Sequence, residues 1–333
     1  MNSQNSYKPT AVVLGPAVID SRVDPAPDST SGHKYEASIQ DRLGGGAANV
    51  ARQFSKLGLA VKPILLTGND SLHAVAESLV QQEFKQRATC PQLMHSTRRS
   101  VLIRNTVYTL RSAVAQHELP REIMREIKAA GIVVLAPLAA EDHSIAVQVL
   151  QASSFSLLQL SNQQLQHPKK AIELASLADM TVINDAELEL WTGCNETSAG
   201  IRWLRDRGVN AVIVTSKTSA TGFVGGQWIH APAYETGKLV SSVGAGDVLM
   251  GTLAAMRLNG EPWKESLQLA MAAAALHVEA KPASGIPDLQ RVARHRKTIP
   301  FLPNPSRQLI NLPRVATIAA GLFLGLLTFG LFS

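Results

Sequence analysis

Between residues 120 and 183, short apolar runs alternate with longer stretches whose apolar residues recur at helical spacing, and few folds accept that rhythm. The spacing predicts helices over 120–130, 141–151 and 168–177, with strands over 132–136, 155–160 and 180–183. Strands separated by helices of this length cannot pair as hairpins, so the pattern requires βαβ units and a parallel sheet whose strand C-termini share one edge. Upstream, 10–15 and 61–67 read as buried strands. Each leads towards a helix, one carrying Val50, Phe54 and Leu57 and stopping at Gly58, the other ending near Phe84. Downstream, 211–215 is a buried strand and 222–230 a hairpin turning at Gly225-Gly226. A helix then runs to Arg257, and Pro262 opens another with Trp263, Leu267, Ala270, Met271, Ala274 and Val278 inward. The expected class is α/β, a doubly wound, mostly parallel sheet flanked by helices.

Charge is informative only once located. Arg291, Arg294, Arg296, Lys297, Arg307 and Arg314 lie beyond the last acidic residue, Asp288. Without those six the remaining basic residues equal the 26 acidic ones, which argues against a nucleic-acid surface. Cys90 and Cys194 show no metal or disulfide spacing, and the nine histidines show no ligand spacing. The basic run leads into 315–332, an uncharged apolar stretch that as a helix is about 27 Å long, close to a bilayer core. A single C-terminal membrane anchor is expected, with Gly321 and Gly325 as a close-packing pair and the body on the cytoplasmic side. A buried terminal helix is the alternative. Residues 1–9 read as a disordered tail without a signal peptide, and 291–314 as a basic juxtamembrane linker.

Candidate chemistry gathers at glycine turns. In Val240–Gly251 a strand end, a turn at Gly244-Ala245-Gly246 and a helix start carry one carboxylate, Asp247. Amide hydrogens at such a start attract an anion. An acid there either caps the helix or serves as a base towards a hydroxyl attacking phosphate. Gly44-Gly45-Gly46 opens the helix bearing Asn49, as a ligand-touching turn or a plain one. Asp20 is expected just past a strand end, as a ligand residue or a turn acid. Asn184 and Glu187 have capping-box spacing; at the same edge they are also candidates for a hydrated Mg²⁺. The loop 281–287 is either a cover over a base or a connector.

Three marks in order, G-G-G-A-A-N at 44–49, N-D-A-E at 184–187 and G-A-G-D at 244–247, resemble the PfkB (ribokinase-like) carbohydrate kinase family. The likeness covers about residues 10–290 and includes Pro27–Gly32 and Leu190–Gly193. It implies a kinase domain with a small β-sheet lid over the sugar, here about 17–43 and 99–111. It implies ATP-dependent phosphorylation of a hydroxyl on a sugar, sugar phosphate or nucleoside, with ATP and Mg²⁺. Carried over, Asp247 looks like the base and Gly244, Ala245 and Gly246 like the anion hole. Asp20, Gly45 and Asn49 match the sugar contacts, Thr215 the ATP-side strand end, and Asn184 and Glu187 the Mg²⁺-water and phosphate positions. Lids of this family often pair across a homodimer. The segments G-G-A-A-N-V-A and L-T-G-N-D look somewhat like the heptose-phosphate kinase branch. The chain departs from the family at Ser241-Ser242, at Thr215-Ser216-Lys217 and at Gln159-Leu160-Ser161-Asn162. Those departures motivate a second expectation, a membrane-tethered scaffold or ligand-binding module with catalysis lost.

Overall fold

A computed structural model describes residues 10–25, 37–103, 106–116, 118–234 and 242–279. The tail 1–9, Pro27–Gly32, Ser241, the loop 281–287, the basic stretch 291–314 and the apolar segment 315–332 lie outside these. Among the described residues no helix is long and apolar enough to cross a membrane.

The strands are β1 (Ala11–Pro16), β2 (Val18–Pro25), β3 (Ala37–Gly44), β4 (Val61–Gly68), β5 (Gln92–Met94), β6 (Arg98–Ile103), β7 (Thr106–Leu110), β8 (Ile132–Leu135), β9 (Ser156–Gln159), β10 (Met180–Asn184), β11 (Val212–Thr215), β12 (Ser219–Val224) and β13 (Gln227–Pro232). The helices are α1 (Gly46–Lys56), α2 (Leu72–Phe84), α3 (Arg121–Ala129), α4 (His143–Ala152), α5 (Asn162–Leu165), α6 (Pro168–Leu177), α7 (Asp185–Thr192), α8 (Thr197–Arg205), α9 (Ala245–Leu258) and α10 (Trp263–Glu279). The large sheet has the order β13-β12-β11-β10-β9-β8-β1-β4-β5, parallel from β11 to β5, with an antiparallel hairpin at the other edge. The expected strands and long helices are present; β5, α5 and α8 are additions. On α8 Gly200 stands on the inner face with Ile201 and Leu204, where a Cβ would come within 2.7 Å of Leu188.

Strand alternation sends side chains to two cores. Val13, Leu65, Val134, Leu157 and Ile213 face α1, α2, α9 and α10. Leu14, Leu66, Leu135, Leu158 and Val214 face α3, α4, α6, α7 and α8. Beta4 and β8 lie on opposite sides of β1, so the strand order reverses between β1 and β8. Open sheets bind ligands at the C-terminal edge of such a reversal.

The small sheet, order β3-β2-β6-β7, rises from that edge. Asp20 lies inside β2, which corrects the expectation of a strand-end turn. After Pro16 the chain breaks at Ala17, whose amide donates to the Leu66 carbonyl at 2.8 Å, and immediately resumes as a strand of the second sheet. Register puts Asp20, Arg42, Ser100 and Thr109 on one lid face. Ile39, Ile103, Tyr108 and Leu110 are exposed on the other.

Helix α1 packs directly on α9, and that contact positions the site. A Cβ at Gly251 would lie 2.8 Å from Gln53 Cβ and 3.0 Å from the Val50 carbonyl oxygen. Nearby, buried Gln53 Nε2 donates to Thr252 Oγ1 at 2.8 Å. Alanine at 251 would recover about 1 kcal/mol of helix propensity and blur the effect, so valine is the cleaner probe. Gly251→Val is expected to cost about 1–3 kcal/mol by overpacking, measured as a lowered urea midpoint at unchanged m-value.

Candidate active site

Asp247 stands in the first turn of α9, whose N-cap Gly244 has φ 82°, the left-handed conformation that favours glycine. No side chain caps that helix start, so Asp247 is not spent as a cap. Its Oδ2 accepts a hydrogen bond from Asn49 Nδ2 at 2.8 Å. Its Oδ1 lies against the start of α1, 3.1 Å from where a Cβ at Gly46 would be, with Pro137 alongside. Two helix N-termini therefore converge on one half-buried carboxylate, and both present positive ends to it.

The amides expected to form the anion hole are not equivalent. The Ala245 N–H is taken by the Ser242 carbonyl at 3.2 Å, so it is engaged within the turn in this state. Among the described residues, the amides of Gly246 and Asp247 have no backbone acceptor. Of the three expected amides, Ala245 is the one engaged by a backbone acceptor among the described residues, and the Asp247 amide joins the open donors. His277 from α10 steadies the turn: its Nε2 donates to the Val243 carbonyl at 2.8 Å. That bond assigns the proton to Nε2.

Desolvation pushes the Asp247 carboxyl above its ordinary 3.8, against the pull of the Asn49 and Gln159 amides and the charges of His277 and Arg52. Gln159 ends β9 and gives Asp247 a second amide, while its own Oε1 is buried without a partner.

Asp20 lies over the other glycine turn. A Cβ at Gly44 would fall 1.9 Å from Asp20 Oδ2, so the bare backbone is what admits the carboxylate. Although the residue is exposed, protein atoms crowding the carboxyl raise it above 3.8, opposed by Arg52, by the Ser100 hydroxyl and by Arg42. Gly45 is the N-cap of α1. Asp20, Gly45, Asn49 and Asp247 are therefore brought together at the β1/β8 edge.

Thr215, Asn184 and Glu187 form a second group. Thr215 ends β11 directly beside Asn184 at the end of β10. Asn184 Oδ1 accepts from the Glu187 amide at 2.8 Å and Glu187 Oε2 accepts from the Asn184 amide at 2.8 Å, so the capping box is formed. Burial raises the Glu187 carboxyl despite those bonds. Gln159 sits between the two groups, on β9 beside β10. Lys217 is exposed in a turn held by Ser216 Oγ, which accepts from the Ser219 amide at 3.1 Å. The residues that sequence reasoning passed over are Arg52 and His277. Arg52 reads as an ordinary helix-surface cation, and His277 is a lone polar residue in the run Ala272–Val278.

The pfkB family carbohydrate kinase model matches residues 8–289. The chain belongs to the pfkB family of carbohydrate kinases. The chain is 26% identical over 280 residues to the bifunctional protein HldE of Hahella chejuensis, covering 78% of this chain and 57% of that one. It is 27% identical to HldE of Pseudomonas putida strain GB-1, with the same coverage, so the chain spans little more than half the length of these relatives. Its fold superposes on Arabidopsis thaliana ribokinase complexed with ribose and ATP at TM-score 0.70, 23% identity, covering 87% of this chain and 99% of that one. Xylella fastidiosa fructokinase with bound ATP gives TM-score 0.70 at 17% identity, covering 87% and 98%. A putative ribokinase II of E. coli in complex with ATP and Mg²⁺ gives 0.68 at 15%, covering 87% and 99%.

The raised Asp247 carboxyl has a signed consequence for stability. A carboxyl whose folded value exceeds its unfolded one favours folding only while protonated, and that contribution is lost as pH rises through the folded value. Asp247→Asn is therefore expected to melt above wild type at neutral pH, with the gap closing in acid, measured by calorimetry across that range.

Proposed function

We propose that this kinase transfers the γ-phosphoryl group of ATP to a hydroxyl of a sugar or sugar-like acceptor, with Asp247 as the base. The observation that carries the reading is one carboxylate, aimed by Asn49, where two helix N-termini meet beneath a lid that carries Asp20. The acceptor O–H proton passes to Asp247 as the new O–P bond forms and the bond from γ-phosphorus to the β-bridging oxygen breaks, leaving ADP. The open amides of Gly246 and Asp247, together with Gly244 at the turn, would receive the transferring oxygens. Ala245 can join them only by releasing Ser242. Asp20, Gly45 and Asn49 would hold the acceptor hydroxyls. Asn49 has one amide hydrogen and one lone pair left for that task. Arg42, across from Asp20 on the same lid face, supports acceptors that bear a negative group.

On the nucleotide side, Thr215 would contact ATP at the strand end. Glu187 and Asn184 would reach Mg²⁺ through water. Among the described residues no three metal-binding side chains cluster, which suits an ion that keeps its waters and relies on substrate phosphates. When bound, Mg²⁺ supplies charge neutralisation on the phosphate oxygens. We also propose a membrane tether through 315–332, and lid-to-lid pairing through exposed Ile39, Ile103, Tyr108 and Leu110.

Full-length protein, incubated with ATP, Mg²⁺ and a panel of sugars, sugar phosphates and nucleosides, is expected to release ADP with at least one acceptor. Asp247→Asn is expected to lower that turnover about 10²- to 10⁴-fold, the usual cost of losing a general base. Nucleotide binding without turnover on any acceptor would instead favour the scaffold reading. Full-length protein recovered in the soluble fraction of lysed cells would remove the tether.

A further inference from the structure

Arg52 has no part in the transfer just described. It stands three residues after Asn49 on α1, so the two side chains share a helix face. Its Nη1 donates to Asn49 Oδ1 at 2.6 Å, and its Nη2 to Glu83 Oε2 on α2 at 2.8 Å. Further bonds run from Nε to Glu83 Oε1 and from Nη2 to the Leu43 carbonyl at the end of β3. The planar fork is thus tied to α2 and to the lid root, and it is held against Asn49.

An amide has one donating and one accepting end. With Oδ1 taken by a guanidinium, Nδ2 is the end turned to Asp247. A flipped Asn49 would set its oxygen against a carboxylate and its NH₂ against a cation, which is two repulsions in place of two bonds. The orientation of Asn49 is therefore fixed from both ends, by Arg52 at Oδ1 and by Asp247 at Nδ2.

We propose that Arg52 is a positioning residue for the base: by gripping the Asn49 amide it keeps a donor and a nearby positive charge on the Asp247 carboxylate, holding it aimed. This rests on the reading of Asp247 as the base. The groups that face Asp247 are Asn49 and Arg52 from α1, Gln159 from β9 and His277 from α10. Of these, Arg52 brings the guanidinium charge. Arg52 also faces Asp20 on β2, together with Arg42 from β3, while Glu83 on α2 offsets part of its charge. Removing it takes away both the field and the fixed donor, so the Asp247 carboxyl must titrate at higher pH and a smaller share of base is ionised in mild acid.

The experiment compares full-length wild type, Arg52→Gln and Arg52→Lys in two readouts. The first is a ¹³C titration of the Asp247 carboxyl, assigned by its loss in Asp247→Asn. The second is the pH profile of kcat. In Arg52→Gln the carboxyl is expected to titrate at higher pH, and kcat to fall about 10- to 100-fold with its acid limb displaced the same way, as for a misplaced catalytic group. Arg52→Lys, which keeps the charge but not the fork, is expected to move the titration less while still lowering kcat, and it stands in if the glutamine variant does not fold. An Asp247 titration unmoved in the folded variants would overturn the proposal and leave Arg52 a clasp between α1 and α2, even if melting temperature or kcat drops. The titration needs no turnover, so a wild type without transfer would count against the kinase reading alone.

Discussion

The arrangement depends on the hydrogen bond from Asn49 to Asp247, because it closes a contact between the starts of two helices that would otherwise repel. Helix N-termini are positive, and α1 and α9 bring two of them together. A single carboxylate stands between them, held by the Asn49 amide. The fold keeps Asp247 close enough to protein to be raised above the usual carboxylate range, yet the residue retains contact with solvent. Close packing at Gly251 sets the distance between the helices and therefore the reach of the amide.

Much of this was legible in the chain, and the reasons are local. The buried parallel strands appear as uninterrupted apolar runs. The pair Asn184 and Glu187 shows itself because a capping box needs only four consecutive residues. The turn before Asp247 is visible because a left-handed backbone position calls for glycine. What sequence left open depends on contacts across the fold. Nothing near residue 52 says that its guanidinium will meet Glu83 and Leu43, and nothing near 277 says that a histidine will hold the carbonyl of residue 243. The engagement of the Ala245 amide depends on a four-residue turn whose closure is not written in the glycine pattern.

The lid follows a separate logic. Its residues on β3 are exposed until Leu43, so the strand pattern there is weak and its two faces are told apart only by register. One face carries Asp20 and Arg42 and the other bears isolated large apolar residues. Near its root the same sheet is anchored: Asp70 accepts from the Thr97 amide and from its hydroxyl, each at 2.7 Å, just before β6 begins. The small sheet is thus tied to the main body at its root.

Asn49 and Asp247 are 198 positions apart in the chain, and that separation governs when the centre can exist at all. During synthesis the first glycine turn, the lid and the strand ends bearing Asn184 and Thr215 all leave the ribosome before α9 does. A nascent chain can thus assemble most of the parallel sheet while one helical seat beside α1 is still empty. The Asn49–Asp247 contact arrives with a late long-range closure, the slowest kind to form. Until then the growing polypeptide has the paired strand ends of Asn184 and Thr215 and an Asn49 amide with no carboxylate to meet.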